Sequence, residues 1–301
     1  MRLGEFGVWQ PAYVTTPEMA RRLECLGYGT LWLGGPPEDL AGVDELLSVT
    51  ENLVVGTSIY NVTSGDAAAL AAAYRRIDDA FPGRLLLGLG VGHPEQTAGY
   101  ATPMGAMRTF LDDLDARGIP SDRTALAALG PRMLDMARNR TGGAVPYLVN
   151  VEHTSRARKA LGSGRVLAPE QKVVLEADED RARELARPRI RHPYLGLVNY
   201  RNNLRRLGFD DADLAGDGSD RLIDALAVHG DPMAVARGLH AHLDAGADHV
   251  QIHLVSDNSV RHPQLSEVLL QVYDDAAFRL YEVLAVALGI AISQPAEPFG
   301  Q

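Results

Sequence analysis

The chain has 301 residues, 46% hydrophobic and 23% charged, with 30 Gly and 17 Pro; this ordinary globular composition excludes wholesale disorder, collagen and coiled coil. Lys and Arg number 29 against 39 Asp and Glu, a formal net charge of -10 that repels a phosphate backbone and argues against a nucleic-acid partner. The single cysteine, Cys25, allows no intrachain disulfide and no thiol-held metal, and neither a signal-peptide pattern nor a run of roughly 20 apolar residues occurs, so a cytoplasmic protein free of the membrane is expected.

Short apolar runs ending in Gly, Pro or Asn alternate with stretches of Ala, Leu, Arg and Glu, the βαβα signature of a parallel sheet. The first strand is predicted over 6–9, followed by a helix opening at Thr16-Pro17-Glu18, where Thr caps and Pro takes the first helical position. Strands follow at 30–33, 53–60 and 84–89, separated by helices over 39–50 and 64–80. The fourth strand enters a turn with alternating glycines, Gly88, Gly90 and Gly92, ahead of His93 and Pro94. A helix over 105–116 leads to a fifth strand at 124–129, which runs straight into Gly130-Pro131-Arg132-Met133 and a helix to Asn139. Strands six to eight are predicted at 144–149, 172–175 and 249–255, and a last helix at 265–288.

Eight strands interleaved with helices is the count of a (β/α)8 TIM barrel, an α/β fold, here as one domain over 1–301 with a helical insertion between strands seven and eight, roughly 177–230. An open doubly wound sheet uses the same units, but no G-x-G-x-x-G opens a helix after the first strand. In a barrel, chemistry sits at the C-terminal ends of the strands. The residues expected there are Trp9, Gln10, Gly34, Gly35, Ser58 to Asn61, Gly90, Gly92, His93, Gly130 to Met133, Asn150, Glu152 and His153. Few are ionisable, and no carboxylate pair, Ser-His-Asp set or metal-ligand cluster is among them. A mouth poor in acids and bases and rich in glycine suits a planar ring that brings its own reactivity.

Three features carry two readings each. Gly130-Pro131-Arg132-Met133 is either a phosphate cradle at a helix N-terminus or an ordinary βα turn with Pro as helix starter. His93 is either a proton donor or acceptor beside a reacting ring or a loop histidine bonded to a carbonyl. The arginines at 181, 183, 187, 189 and 191, interleaved with acids, are either a solvated ion-paired helix or a partner for an acidic cofactor tail. His240 and His242, two apart on a helix, point to different faces and are expected at the surface.

The segments GYGTLWLG, GTSIYNVTSGDAAALAAAYRRID, GRLLLGLGVGHPE, AALGPRMLDMARNRTGGAVPYLVNVEHTSRAR, YLGLVNYRNNLRRLGF and GDPMAVARGLHAHLDAGADHVQIHLV together resemble the luciferase-like monooxygenase superfamily, and within it the actinobacterial branch of probable F420-dependent oxidoreductases. The resemblance implies a TIM barrel with an insertion after strand seven, usually a homodimer, binding coenzyme F420 or, alternatively, FMN at the mouth. It implies a non-proline cis peptide at the end of strand three, falling on Ser58-Ile59, and phosphate binding by Gly130, Pro131, Arg132 and Met133. Gly34, Asn61, Gly90 and Gly92 would border the cofactor, and His93 takes the place of a Glu that donates a proton in some deazaflavin members. Those members carry an Asp-His pair at the end of strand two, where this chain has Gly34-Gly35. The implied function is hydride transfer between deazaflavin C5 and a small organic substrate; the alternatives are an FMN-dependent monooxygenase and a cofactor-binding barrel without turnover. Tyr194, Asn199, Tyr200 and Asn202 of the insertion either lid the substrate pocket or belong to helix surfaces and caps.

Overall fold

Residues 1–92, 102–256 and 278–291 are described by the computed structural model. Its first strands follow the apolar runs: β1 (Phe6–Pro11), β2 (Thr30–Gly34), β3 (Val54–Thr57), the two-residue β4 (Tyr60–Asn61) and β5 (Leu85–Gly90). Next come β6 (Thr124–Leu126), β7 (Gly143–Ala144), β8 (Val166–Leu167), β9 (Glu170–Val174), β10 (Ala227–His229) and β11 (Val250–Leu254). Every pairing is parallel, in the order β10-β9-β11-β1-β2-β3-β5-β6-β7-β8, with β4 on β5. Parallel strands buried on both faces read as continuous apolar runs, which is why these were visible.

β8 and β9 are two parts of one run, interrupted at Ala168-Pro169, and they close the ring. Val166 N–H donates to Gly142 O at 2.9 Å, Ala168 N–H to Ala144 O at 2.9 Å and Glu170 N–H to Pro146 O at 2.8 Å, tying the run to the sixth strand. On its other side β9 pairs with β11, and β11 with β1. The expected eight-stranded barrel is therefore present, with two corrections of position. The sixth strand ends at Ala144, because Pro146 has no N–H to donate and Leu148 turns to φ +54. The seventh begins at Val166 rather than 172, its charged Glu170 and Lys172 having masked an inward-facing strand. A further strand not foreseen, β10, ends the insertion and pairs with the free edge of β9, Ala227 opposite Lys172.

The helices are α1 (Pro17–Cys25), α2 (Val43–Ser48), α3 (Ala67–Ala80), α4 (Pro103–Ala116), α5 (Pro131–Arg140) and α6 (Val151–Leu161). Then follow α7 (Glu179–Arg191), α8 (Val198–Arg206), α9 (Asp220–Leu226) and α10 (Pro232–Asp244), and helical residues at 278–287. Their starts obey capping chemistry: Thr16 accepts from Met19 N–H at 3.2 Å, Asp66 from Ala68 N–H at 2.7 Å and Asp231 from Ala234 N–H at 2.7 Å. Among the described residues no helix is long and apolar enough to cross a membrane.

Three apolar clusters hold the molecule. The largest lies between strands and outer helices; a second, including Ile190, Leu204, Leu222 and Ile223, joins the insertion to Leu148, Val174 and Val255. The third fills the barrel with Trp32, Val54, Leu86, Ala125, Val145 and Ala168. Register sets Trp9, Trp32 and Gly56 side by side, and a Cβ on Gly56 would sit 2.4 Å from the Trp32 indole, so glycine there makes room for the larger ring. Trp32 Nε1–H donates to His249 Nε2 at 2.9 Å while His249 Nδ1–H donates to Gly4 O at 2.8 Å. That arrangement needs a neutral imidazole, and burial pushes the His249 pKa down to about 4. His242 is also fully buried, correcting the expectation of a surface residue: Nδ1 meets Thr154 Oγ1 at 2.8 Å and Nε2 meets Gln171 Oε1 at 2.7 Å. The arginine-rich helix α7 is ion-paired, Arg183 with Asp224 at 2.8 Å and Arg191 with Asp217 at 2.8 Å.

Candidate functional site

The C-terminal mouth of the barrel is divided by one side chain. Trp9 lies across it from β1: its Nε1–H donates to Ser58 O at 3.2 Å on one side, and its ring stacks on His253 at 4.1 Å and 26° on the other. A Cβ on Gly34 would lie 2.2 Å from the Trp9 ring, so the bare backbone at the end of β2 is the floor on which that indole rests. Ile59 plays the same part over Gly90, where a Cβ would come within 2.7 Å of its side chain. Beyond Gly34 the backbone turns at Gly35, φ +60, beside open space.

Between β3 and β4 the Ser58-Ile59 peptide is cis. Ser58 is buried and its Oγ has no hydrogen-bond partner among the described residues. Asn61 Oδ1 accepts from Thr63 N–H at 3.0 Å and from Gly92 N–H at 3.1 Å, locking the turns after β4 and β5 together. His93, the expected acid or base, lies outside the described residues.

At the end of the fifth barrel strand, Gly130 is the N-cap of α5 with no side-chain cap, Pro131 is the first helical residue, and Arg132 and Met133 follow. The insertion completes this corner. Arg206, from α8, reaches within 3.5 Å of where a Gly130 Cβ would be, and donates to Asn203 Oδ1 at 3.3 Å. Asn203 is 2% exposed, and its Nδ2 has no acceptor among the described residues. His153 Nε2 meets Leu129 O at 3.0 Å, while Nδ1 has no partner. Burial, reinforced by Arg206 and Arg156, lowers the His153 pKa to about 4. An uncapped helix start beside a guanidinium is an arrangement that suits an oxyanion. The residues present therefore fit the phosphate of a flavin or deazaflavin, and the glycine at 130 leaves space for it to approach.

The opposite side of the mouth holds what sequence reasoning missed. Glu170 and Lys172, two apart on β9, both point into the barrel and pair at 2.8 Å with side chains 1% and 0% exposed. His253 of β11 places Nδ1 2.8 Å from Glu170 Oε1, and Glu170 Oε2 accepts from Leu148 N–H at 3.0 Å. Lys172 Nζ also donates to the Tyr147 hydroxyl at 3.1 Å. Burial pushes the Glu170 pKa up, but Lys172 and His253 outweigh it and hold the carboxyl down at about 2. Burial, then Lys172, lowers the His253 pKa to about 4, and burial drives Tyr147 well above 10. The sequence signal is weak: Glu170 and Lys172 are two apart, as residues on one face of a strand are, but the polar Gln171 lies between them and no apolar alternation marks the strand. Their partner His253 is 83 residues away.

A cleft of about 150 Å³ opens over this cluster, walled by Trp9, Tyr13, Tyr147, Tyr194 and His192. Of the insertion residues singled out from sequence, Tyr194 lines it, Tyr200 packs behind Tyr194 at 4.9 Å, and Asn202 is exposed on α8.

The model of the family described as luciferase-like monooxygenase matches residues 4–115, a family of oxidoreductases. Three solved structures share the fold across nearly the full length. An F420-dependent secondary alcohol dehydrogenase in complex with an F420-acetone adduct has TM-score 0.65 and 13% identity, over 94% of this chain and 99% of that one. The coenzyme F420 dependent tetrahydromethanopterin reductase of Methanopyrus kandleri has 0.64 and 16%, over 95% and 98%. The FMN-complexed oxygenating constituent of 3,6-diketocamphane monooxygenase from Pseudomonas putida has 0.61 and 14%, over 97% and 100%. No curated protein matches the sequence. The resemblance expected from the sequence and the TIM-barrel fold both hold; at these identities the structural likeness is one of fold.

Proposed function

We propose that this chain, similar to luciferase-like monooxygenases in sequence and to F420- and FMN-binding enzymes in fold, is an F420-dependent oxidoreductase acting on a small organic substrate. The observation that carries this reading is the pairing of the uncapped start of α5 with the Arg206 guanidinium beside Gly130. Arg132 stands exposed on the same helix start, so two guanidiniums flank the corner of a chain whose net charge is -10. That concentration of positive charge suits a cofactor whose tail carries a phosphate and further carboxylates. When bound, the deazaflavin supplies a hydride donor or acceptor at C5.

The chain's own residues do the rest. The Ser58-Ile59 backbone, between β3 and β4, would border the ring. Asn61 fixes the turn at Gly92 that leads to His93, and Trp9 separates the cofactor side from the cleft over Glu170 and His253.

The experiment is a fluorescence titration of the purified protein with F420 and, separately, with FMN, repeated with Arg206→Ala and Arg132→Ala. F420 is expected to bind in the micromolar range and FMN more weakly, with Arg206→Ala costing about tenfold in affinity, in keeping with about 1.5 kcal/mol for a charge-assisted hydrogen bond. Preference for FMN turns the reading to a monooxygenase, and binding of neither removes it.

A further inference from the structure

The cleft beside Trp9 is walled off from the cofactor side, yet it is built to hold a ligand. Its walls are aromatic: Trp9, Tyr147 and Tyr194 are half-buried, with ring centroids 5.8 Å apart for Trp9 and Tyr147 and 5.4 Å for Tyr147 and Tyr194. Tyr13, which also lines it, is 73% exposed. The space of about 150 Å³ is the size of one benzene-like ring. Two polar groups line it as well. Every hydrogen bond of the His253 imidazole among the described residues runs through Nδ1, the shortest to Glu170 Oε1 at 2.8 Å. An ionised carboxylate only accepts, so the proton sits on Nδ1 and the Nε2 lone pair is left without a donor. The second group is Arg189. Arg181, Arg183, Arg187 and Arg191 of α7 each pair with a carboxylate, whereas Arg189 lines the cleft, and no acidic residue lines it among the described residues.

We infer that this cleft binds a small hydroxylated aromatic acid, of the size of a hydroxybenzoate: its ring packs against Trp9, Tyr147 and Tyr194, its hydroxyl donates to His253 Nε2, and its carboxylate meets Arg189. Each group of the ligand answers one wall. The ring buries apolar surface against aromatic faces. The hydroxyl supplies the donor that Nε2 lacks, and the carboxylate gains a guanidinium whose flat fork fits two oxygens. The imidazole stays neutral at this task, because burial, then Lys172, lowers its pKa to about 4, and Arg189 adds to that. Lys172 balances Glu170, so the ligand's charge meets no unpaired buried anion. Trp9 stands between this ligand and the cofactor side, so no bond of the ligand is made or broken here, and the site does not depend on which cofactor the mouth takes. The Trp9 Nε1–H, donating to Ser58 O at 3.2 Å, reports on its occupancy.

The test is calorimetric titration of the full chain with the three monohydroxybenzoates, and with benzoate and phenol, each of which lacks one polar group. At least one hydroxybenzoate is expected to bind with Kd below about 1 mM, and benzoate and phenol each about fivefold more weakly or worse. Arg189→Gln is expected to weaken hydroxybenzoate and benzoate by about tenfold while leaving phenol within about twofold. His253→Phe keeps a ring on Trp9 but removes the acceptor, so it is expected to erase the preference for hydroxybenzoate over benzoate, which a loss of packing alone would not do. Arg189 lies half-buried on the outer helix α7, so its variant carries the test should His253→Phe fail to fold. The site is located by proton–nitrogen spectra of the two indoles, the chain having two tryptophans. The ligand is expected to move the signal that disappears in Trp9→Phe and to leave that of Trp32 in place. No binding of any hydroxybenzoate up to about 10 mM, a preference that survives His253→Phe, a Trp9 signal that does not move, or displacement by F420 or FMN overturns the inference. Failure of F420 and FMN to bind defeats the cofactor reading and leaves this site standing.

Discussion

The two sides of the barrel mouth are built on opposite principles. On the β2–β3–β5 side, glycines face large side chains: Trp9 over Gly34, Trp32 over Gly56 and Ile59 over Gly90. On the β9–β11 side, buried polar groups satisfy one another: Glu170 with Lys172 and His253, and His242 with Gln171 and Thr154. The first side is held by shape, the second by charge and protonation. A shape contact fails by steric overlap that neighbours can partly relieve, whereas a buried charge stripped of its partner keeps its full desolvation cost.

Acid gives the largest effect, and it strikes buried imidazoles on both sides. His153, His242, His249 and His253 are buried with pKa values lowered to about 4 from 6.5. Below pH 6.5 the unfolded chain takes up protons that the native state refuses, so stability falls as pH drops from 6.5 toward 4. The slope is about 1.4 kcal/mol per pH unit for each histidine, and about 5.5 kcal/mol per unit for the four together. Thermal unfolding across this range reads the slope, and a Tm flat between pH 7 and 4.5 would contradict it. Glu170, held at about 2, adds its own loss only below pH 4.5.

Lys172→Met comes next. It leaves Glu170 buried without its cation and is expected to cost about 3–5 kcal/mol in urea unfolding; a loss under 1 kcal/mol would mean that water already reaches the pair. On the other side, Gly56→Ala must displace the Trp32 indole from its bond to His249, an overpacking cost of about 1–3 kcal/mol visible in tryptophan fluorescence as well as in the unfolding midpoint. Smallest is Asp44→Asn, which removes the exposed pair with Arg76 at 2.9 Å and is expected to change stability by less than about 1 kcal/mol.

The same division explains what the sequence let us read. The shape side was legible because VVGT, LLLGLG and TLWLG are unbroken apolar runs bounded by glycine, and because β3, β5 and β2 pair with neighbours close in the chain. The charge side was not. In EQKVV a carboxylate and an ammonium occupy inward positions of β9, and only the distant His253 and Tyr147 make that tolerable. Local pattern cannot show that a buried ion pair gains a hydrogen-bond partner from 83 residues away. The phosphate corner lies between these cases: Gly130-Pro131 announced a helix start, but Arg206 and Asn203 arrive from the insertion, and no spacing rule connects them to residue 130.

The interruption at Ala168-Pro169 has a mechanical consequence. Because Pro169 offers no N–H, and β7 and β8 contribute two residues each, the barrel is closed on this flank by fewer backbone bonds than the five-residue registers that join β1 to β2. In native-state hydrogen exchange this seam is where the cylinder should unzip first, with Val166, Ala168 and Glu170 amides exchanging ahead of those in β1 and β2. Glu170 belongs to both, its amide being the last rung of the seam and its carboxylate the anchor of His253. Breathing of the barrel wall would thus admit water first to the buried charges, coupling the slow opening of the cylinder to the protonation state of the cleft.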